Sequence, residues 1–146
     1  MFRSLTAEHA LRAQRADLVV ASAGTAQGHD VVPPEVSAYL LTKGFDVSSH
    51  RRRALTREII QQADLVVAMS LDHRDFIRNN FGLTVPVFLQ CCGDAPAALL
   101  DLHEAVADYR TNPAAAAAHI RATIDRIIEL TPRLALRLDG LFSHAT

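Results

Sequence analysis

Cysteine is scarce in this sequence, and the two cysteines that occur are adjacent. Cys91 and Cys92 are the only ones in 146 residues, and neighbouring cysteines bridge each other only through a strained ring. This excludes a disulfide framework and a four-cysteine zinc centre. The shortage of cysteine favours a reducing compartment, so we expect a cytoplasmic protein.

Net charge and long apolar runs are lacking as well. Fifteen Lys and Arg stand against sixteen Asp and Glu, so no overall positive field attracts nucleic acid or an acidic membrane. No apolar run approaches the roughly 18 residues of a membrane span. With 49% hydrophobic and 21% charged residues, the composition is typical of one globular domain. We predict a soluble protein with a single domain over residues 1–139 and a loose tail over 140–146.

Three short apolar segments are typical of buried β-strands. Residues 16–21 and 63–68 both read ADLVVA, and residues 85–89 read VPVFL. Continuous apolar runs with β-branched residues indicate strands that are covered on both faces. We therefore predict three strands of a parallel sheet.

Helical patterns with capping signals separate these strands. The clearest lies after Asn112 and Pro113, where isoleucines recur on one helical face; we expect Pro132 to break or restart this helix. The other predicted helices run from Leu5 to about Gln14 after the cap Ser4, from Pro34 to Gly44, after Thr56 and after Ser70. Alternation of strands and helices predicts a three-layer α/β fold with a doubly wound parallel sheet. In such folds ligands bind beyond the carboxyl ends of the strands, at helix N-termini.

The first helix begins almost at residue 1, although a helix of this kind is normally preceded by a strand and a loop. Arg3 and Ser4 place a guanidinium and a hydroxyl at its positive end, which are the usual parts of a phosphate site. An ordinary serine cap beside a solvated arginine is the alternative. We therefore expect the first strand of the sheet to be absent from this chain.

Six motifs together resemble the low-molecular-weight protein tyrosine phosphatase family. They match in order and spacing, and the resemblance covers nearly the whole chain. The motifs are residues 3–12 (RSLTAEHALR), 22–25 (SAGT), 33–34 (PP), 43–46 (KGFD), 50–56 (HRRRALT) and 63–69 (ADLVVAM).

The resemblance implies a phosphomonoesterase with a cysteinyl-phosphate intermediate and no metal or cofactor. The family's catalytic loop is Cys, five residues, Arg and Ser, and Arg3 and Ser4 match its end. Such a cysteine acts as a thiolate, while the arginine grips phosphate oxygens in a bidentate manner. The implied partners are a phosphotyrosine protein or a small aryl phosphate, and the phosphate ion.

The resemblance also implies a general acid and supporting residues. Asp108 matches the acid that the family places before its last helix, and Tyr109 follows as a wall for the substrate ring, although the usual Asp-Pro-Tyr order is not kept. Ser22 and His50 are expected to support the site from behind. The family's pocket wall falls at residues 26–32, which hold Gly, His and Asp in place of an aromatic residue. The histidines show no ligand spacing, so no metal is predicted.

The chain departs from the family at the nucleophile. The cysteine would lie six residues before Arg3, outside this sequence, and neither Cys91 nor Cys92 is followed by an arginine at that spacing. We expect the chain to be inactive as written. Either translation starts upstream of Met1, which the retention of Arg3, Ser4 and Asp108 favours, or the protein is a shortened relative.

Two other functions remain open. A non-catalytic remnant would bind phosphate or a phosphoprotein through Arg3 and the helix terminus. An arsenate reductase is similar in fold and loop but relays a disulfide through further cysteines, for which adjacent Cys91 and Cys92 are poorly arranged.

Overall fold

Helices dominate the structure, a computed structural model that describes residues 2–25 and 31–144. Their bounds are α1 (Phe2–Gln14), α2 (Pro34–Thr42), α3 (Arg57–Gln62), α4 (Leu71–Phe81), α5 (Phe88–Cys91), α6 (Leu102–Ala105) and α7 (Pro113–His144). Within this described part, no helix is both long and apolar enough to cross a membrane.

The predicted capping residues begin three of these helices. The Ser70 hydroxyl accepts from the amide of His73 at 3.3 Å, and the Thr56 hydroxyl accepts from the amide of Ile59 at the same distance. Asn112 likewise accepts from the third helical amide of α7 through its side-chain oxygen at 3.1 Å. Each side chain satisfies an amide that has no partner within its helix. The predicted starts of α3, α4 and α7 are confirmed.

Helix α1 begins earlier than predicted, and α7 extends further. Ser4 lies within the first turn of α1 rather than before it. Helix α7 continues through Pro132 and through residue 140 to His144, so the expected break is absent and residues 140–144 are helical rather than loose. Contacts beyond Pro132 hold the helix together, because Leu134 and Leu138 are each only 3% exposed.

Helices α1 and α7 pack against each other and supply 11 of the 23 buried apolar residues of the described core. Leu5 of α1 and Ile124 of α7 are fully buried in one apolar cluster with residues of α2. Ile127 and Leu130 of α7 lie in a second cluster with α5 and its following Cys92. This packing fixes the N-terminal end of α1, where the sequence places Arg3.

The predicted strands form no continuous ladder among the described residues. Only two isolated parallel bridges occur there, one joining Gly24 to Ala54 and the other joining Ala68 to Val87. Leu18, Val20, Leu65 and Val67 nevertheless turn toward one apolar cluster, as the predicted strands require. The third predicted strand is shortened, since α5 begins at Phe88 and only Val87 of that segment forms a β-bridge. A strand needs neighbours for its backbone groups, and these segments have almost none in the described structure.

Candidate functional site

The Arg3 guanidinium is buried at the N-terminal end of α1. Its residue is 5% exposed, and the side chain donates to the carbonyl of Leu99. A second nitrogen donates to the Asp101 carboxylate at 2.9 Å. The segment before α7 therefore folds over the start of α1 and places a carboxylate directly on the predicted phosphate-binding arginine.

Asp101 is held in place by the start of α6. Its side chain accepts from the amide of Leu102 at 2.8 Å, and Glu104 accepts from the amide of Asp101 at 2.6 Å, which completes a capping box. Burial acts to raise the pKa of Asp101, but the Arg3 charge and the Leu102 amide together hold that pKa below its usual range. Asp101 is therefore ionised at neutral pH and paired with Arg3.

His73 adds a titratable group to this region from the first turn of α4. Its side chain is half-buried, and desolvation, followed by the nearby positive charge of Arg3, lowers the pKa of the imidazole. The ring is consequently neutral near pH 7 and able to accept or donate a hydrogen bond.

The predicted acid, Asp108, makes no direct hydrogen bond or ion pair with Arg3, whose partners are Leu99 and Asp101. Asp108 is exposed, and its carboxylate accepts from the Asn112 side chain at 3.2 Å. Tyr109 contacts its own neighbour, Arg110, whose Nε donates to the phenolic oxygen at 3.1 Å. Among the described residues, no hydrogen bond, ion pair or ring contact joins Arg3 to either of them. Arg3 is thus paired with Asp101, whereas Asp108 lies before the N-terminus of α7 and is bonded to Asn112.

Ser4 and the predicted pocket wall add little to the described contacts of the Arg3 site. Ser4 is partly exposed beside Arg3, and its hydroxyl has no hydrogen-bond partner in the described part of the chain. Residues 26–30, most of the expected pocket wall, lie outside the described residues.

Ser22 and His50, the two expected supporting residues, both lie beside Glu8 of α1. Ser22 donates to the Glu8 carboxylate at 2.5 Å, and Arg12 pairs with the other oxygen of that carboxylate at 2.8 Å. The His50 ring lies 6.4 Å from the ring of His9. These residues brace the middle of α1, one to two turns after Arg3, and do not contact the Arg3 guanidinium.

Cys91 and Cys92 are unsuited to nucleophilic attack. Both are buried, and desolvation raises the pKa of each thiol to about 11. At neutral pH a thiol with this pKa is almost entirely protonated, and the thiolate is the reactive form. Their burial with α7 agrees with the expectation that they serve as small core residues.

Sequence reasoning did not identify Asp101 or His73. Asp101 and Glu104 have the capping-box spacing, which marks the start of a helix but says nothing about contact with Arg3. That contact spans 98 positions of the chain, and only the tertiary fold reveals it.

Comparison with known proteins supports a phosphatase fold. The model of the low molecular weight phosphotyrosine protein phosphatase family matches residues 1–138. The solved structure of the YwlE arginine phosphatase from Geobacillus stearothermophilus is 24% identical, covers 94% of this chain and 86% of that one, and has a TM-score of 0.77.

Two Bacillus subtilis structures are also similar. A YwlE mutant has 26% identity and a TM-score of 0.75. The solution structure of a low molecular weight protein tyrosine phosphatase has 26% identity and a TM-score of 0.72. Each alignment covers 94% of this chain and 90% of the other chain. No curated protein matches significantly.

Proposed function

The chain belongs to the low molecular weight phosphotyrosine protein phosphatase family, and from this premise we propose that it forms the phosphate-binding scaffold of a phosphoprotein phosphatase. The observation that carries the proposal is the buried Arg3 guanidinium at the start of α1, already paired with a carboxylate oxygen of Asp101. One guanidinium nitrogen donates to Asp101 and another to the Leu99 carbonyl, and a guanidinium that binds these oxygens can also bind the oxygens of a phosphate.

The position of Arg3 suits a phosphate dianion. The free amides and the dipole at the start of the 13-residue helix α1 favour negative charge. Because Arg3 is 5% exposed, its charge is weakly screened by water, which strengthens its attraction for phosphate. In the reaction this arginine would stabilise the charge on the equatorial oxygens of the transferring phosphoryl group.

The nucleophile in this proposal is a cysteine six residues before Arg3, which the present sequence does not hold. Its thiolate would attack phosphorus, and the bond from phosphorus to the leaving oxygen would break as an acid protonates that oxygen. Water would then attack the phosphocysteine, releasing inorganic phosphate and regenerating the thiolate. Cys91 and Cys92 do not substitute, because both thiols are buried with a pKa of about 11.

Two carboxylates compete for the role of general acid. The family motif favours Asp108, whereas the geometry favours Asp101, which lies 2.9 Å from the Arg3 guanidinium. A phosphate that takes the place of Asp101 on Arg3 would leave the Asp101 carboxyl beside the phosphate, with its pKa raised by the added negative charge. We propose Asp101 as the acid on this ground.

Phosphatase assays on two chains test the proposal. We expect the 146-residue chain to show no turnover of para-nitrophenyl phosphate. A chain started upstream in the same reading frame, through a Cys-x5-Arg loop ending at Arg3, should be active. Its Cys→Ser variant is the matched control. Equal activity of the short and extended chains, or an inactive folded extended chain, would contradict the proposal.

Peptide substrates resolve the substrate class on the extended chain. Phosphotyrosine peptides correspond to the family description, and phosphoarginine peptides correspond to the name of the YwlE structures. We expect hydrolysis of the phosphotyrosine peptide; a preference for phosphoarginine would keep the phosphatase reaction and change the substrate.

Leaving groups of different basicity distinguish the two acids. Loss of a general acid lowers the rate of hydrolysis most for substrates with poor leaving groups. Asp101→Asn in the extended chain should therefore reduce kcat about 100-fold or more for phenyl phosphate and less for para-nitrophenyl phosphate. Asp108→Asn should leave this ratio unchanged, and the reverse pattern would assign the acid to Asp108.

Binding without catalysis is the second candidate function. It is favoured by the arginine site, in which the buried Arg3 guanidinium already holds an anionic oxygen at the start of α1. Saturable binding of inorganic phosphate that Arg3→Ala abolishes, with no turnover in any chain found in the native source, would support it. Arsenate reduction finds less support, because the buried thiols are poorly placed for a disulfide relay.

A further inference from the structure

Three metal-ligating side chains meet away from Arg3. Glu8 and His9 come from the middle of α1, and His50 comes from the connection between α2 and α3. One ligand atom from each of the three lies within 4.8 Å of the others. The spacing of the histidines in the sequence does not predict this convergence, and none of the three side chains is among the hydrogen-bond partners of Arg3.

The chemistry of the three groups suits a transition metal. Two imidazoles and one carboxylate favour Zn²⁺ or a similar ion over Mg²⁺ and Ca²⁺, which prefer oxygen ligands alone. Ligands of one Zn²⁺ ion lie about 3.3 Å apart when each is about 2.0 Å from the metal. Shifts of about 1 Å in the two half-buried histidine side chains would therefore bring the three groups onto one ion.

The carboxylate is already oriented by its neighbours. One Glu8 oxygen accepts from Ser22 and the other pairs with Arg12, and each oxygen keeps a further lone pair. Metal-binding carboxylates are commonly held by such outer hydrogen bonds. Glu8 is 5% exposed, so its position is fixed before any metal binds, although the positive charge of Arg12 weakens the attraction for a cation.

We propose that Glu8, His9 and His50 form a binding site for a divalent transition-metal ion, for which Zn²⁺ is the reference case. The ion joins the middle of α1 to the connection that precedes α3, and its three protein ligands leave a position for water. The site does not depend on the proposed phosphatase activity.

Calorimetry and thermal unfolding with Zn²⁺ alone test the site. The wild-type chain should bind one equivalent and melt about 9 °C higher at 100 times the dissociation constant. His50→Ala should weaken binding at least tenfold and reduce the rise in Tm to half or less at the same Zn²⁺ concentration. His103→Ala is the matched control, because His103 is exposed on α6 and is not one of the three clustered residues; it should bind as the wild type does.

Co²⁺ identifies the ligands on the wild-type chain and needs no variant. Visible bands of a nitrogen- and oxygen-ligated ion would support the proposal, whereas a near-ultraviolet sulfur-to-metal band would place the ion on Cys91 or Cys92 and overturn it. Absence of Zn²⁺ binding, or unchanged binding by folded His50→Ala, would also overturn it. Should His50→Ala fail to fold, His50→Gln takes its place.

Discussion

Helix α7 and the two ADLVVA segments have equally clear sequence patterns, but their structures differ. The isoleucine face of α7 packs against α1, with Ile124 and Ile127 completely buried. The ADLVVA segments, in contrast, form no ladder among the described residues, and Val19 of the first segment is 102% exposed. The same apolar content is thus buried in one region and partly exposed to solvent in the other.

The difference reflects where each element finds its hydrogen-bond partners. A helix satisfies its backbone groups internally and needs a neighbour only for its apolar face. A parallel strand needs neighbouring strands on its edges as well as layers on its faces. Leu18 and Leu65 pack against the same cluster from separate segments, but neither segment has a strand beside it over most of its length in the described structure.

The largest expected effect lies in the packed region. Ile124→Ala should lower the free energy of unfolding by about 3–4 kcal/mol, because it removes a fully buried side chain at the α1–α7 contact and leaves a cavity. Denaturant unfolding measures the loss. Leu136→Ala, at an exposed position of the same helix, is the control and should cost less than about 0.5 kcal/mol. Equal costs at both positions would contradict the packing described here.

Asp101→Asn should have the next largest effect and a distinctive pH dependence. Loss of the charged partner of Arg3 should cost about 2 kcal/mol at pH 7, while Asn keeps the helix-capping ability. The folded pKa of Asp101 is lowered, so its stabilisation is fully present above the unfolded value of about 3.9 and is lost as the pH falls through the folded value.

Urea unfolding of both proteins between pH 3 and pH 7 checks this dependence. The difference in unfolding free energy between the wild type and Asp101→Asn should be constant at neutral pH and shrink in acid. A difference that is the same at every pH would show that the ion pair contributes nothing.

A helix cap has a smaller expected effect. Ser70→Ala removes the acceptor for the His73 amide in a position that is 2% exposed and should cost about 1 kcal/mol. Ser70→Asp, which retains a capping oxygen, tests how much of that loss is due to the cap. Thermal unfolding that ranks the alanine variant as stable as the wild type would exclude a capping role.

Val19→Ser has the smallest expected effect and tests the open segment directly. At a fully exposed position the change should alter the free energy of unfolding by less than about 0.5 kcal/mol. Val67→Ser, at a position packed against the core cluster, is the comparison and should cost clearly more. A loss above about 2 kcal/mol for Val19→Ser would show that this side chain is covered in the protein in solution.

The sequence allowed prediction of those features that depend on local chemistry. Thr56, Ser70 and Asn112 cap the helices that follow them, and the apolar period of α7 identified its buried face, since capping and amphipathic periodicity are properties of neighbouring residues. The family, predicted from six motifs between Arg3 and Met69, is confirmed by the family match over residues 1–138.

Features that depend on distant partners were not predictable in this way. The strand predicted over residues 85–89 is cut short by α5, which begins at Phe88. A buried apolar run of this length is compatible with either a strand or a helix. The pairing of Arg3 with Asp101 and the meeting of His9 with His50 both depend on tertiary folding. Pro132 did not end α7, because burial of Leu134 and Leu138 beyond it favours continuation of the helix.

The central proposal is that Arg3 ends a catalytic loop whose cysteine lies upstream, and the intact mass of the protein from its native source tests this most directly. We predict a mass above the 15.9 kDa of the present chain, with sequencing of the N-terminal peptide placing a cysteine six residues before Arg3. A mass that corresponds to a start at Met1 would contradict the proposal and leave phosphate binding without catalysis as the function to pursue.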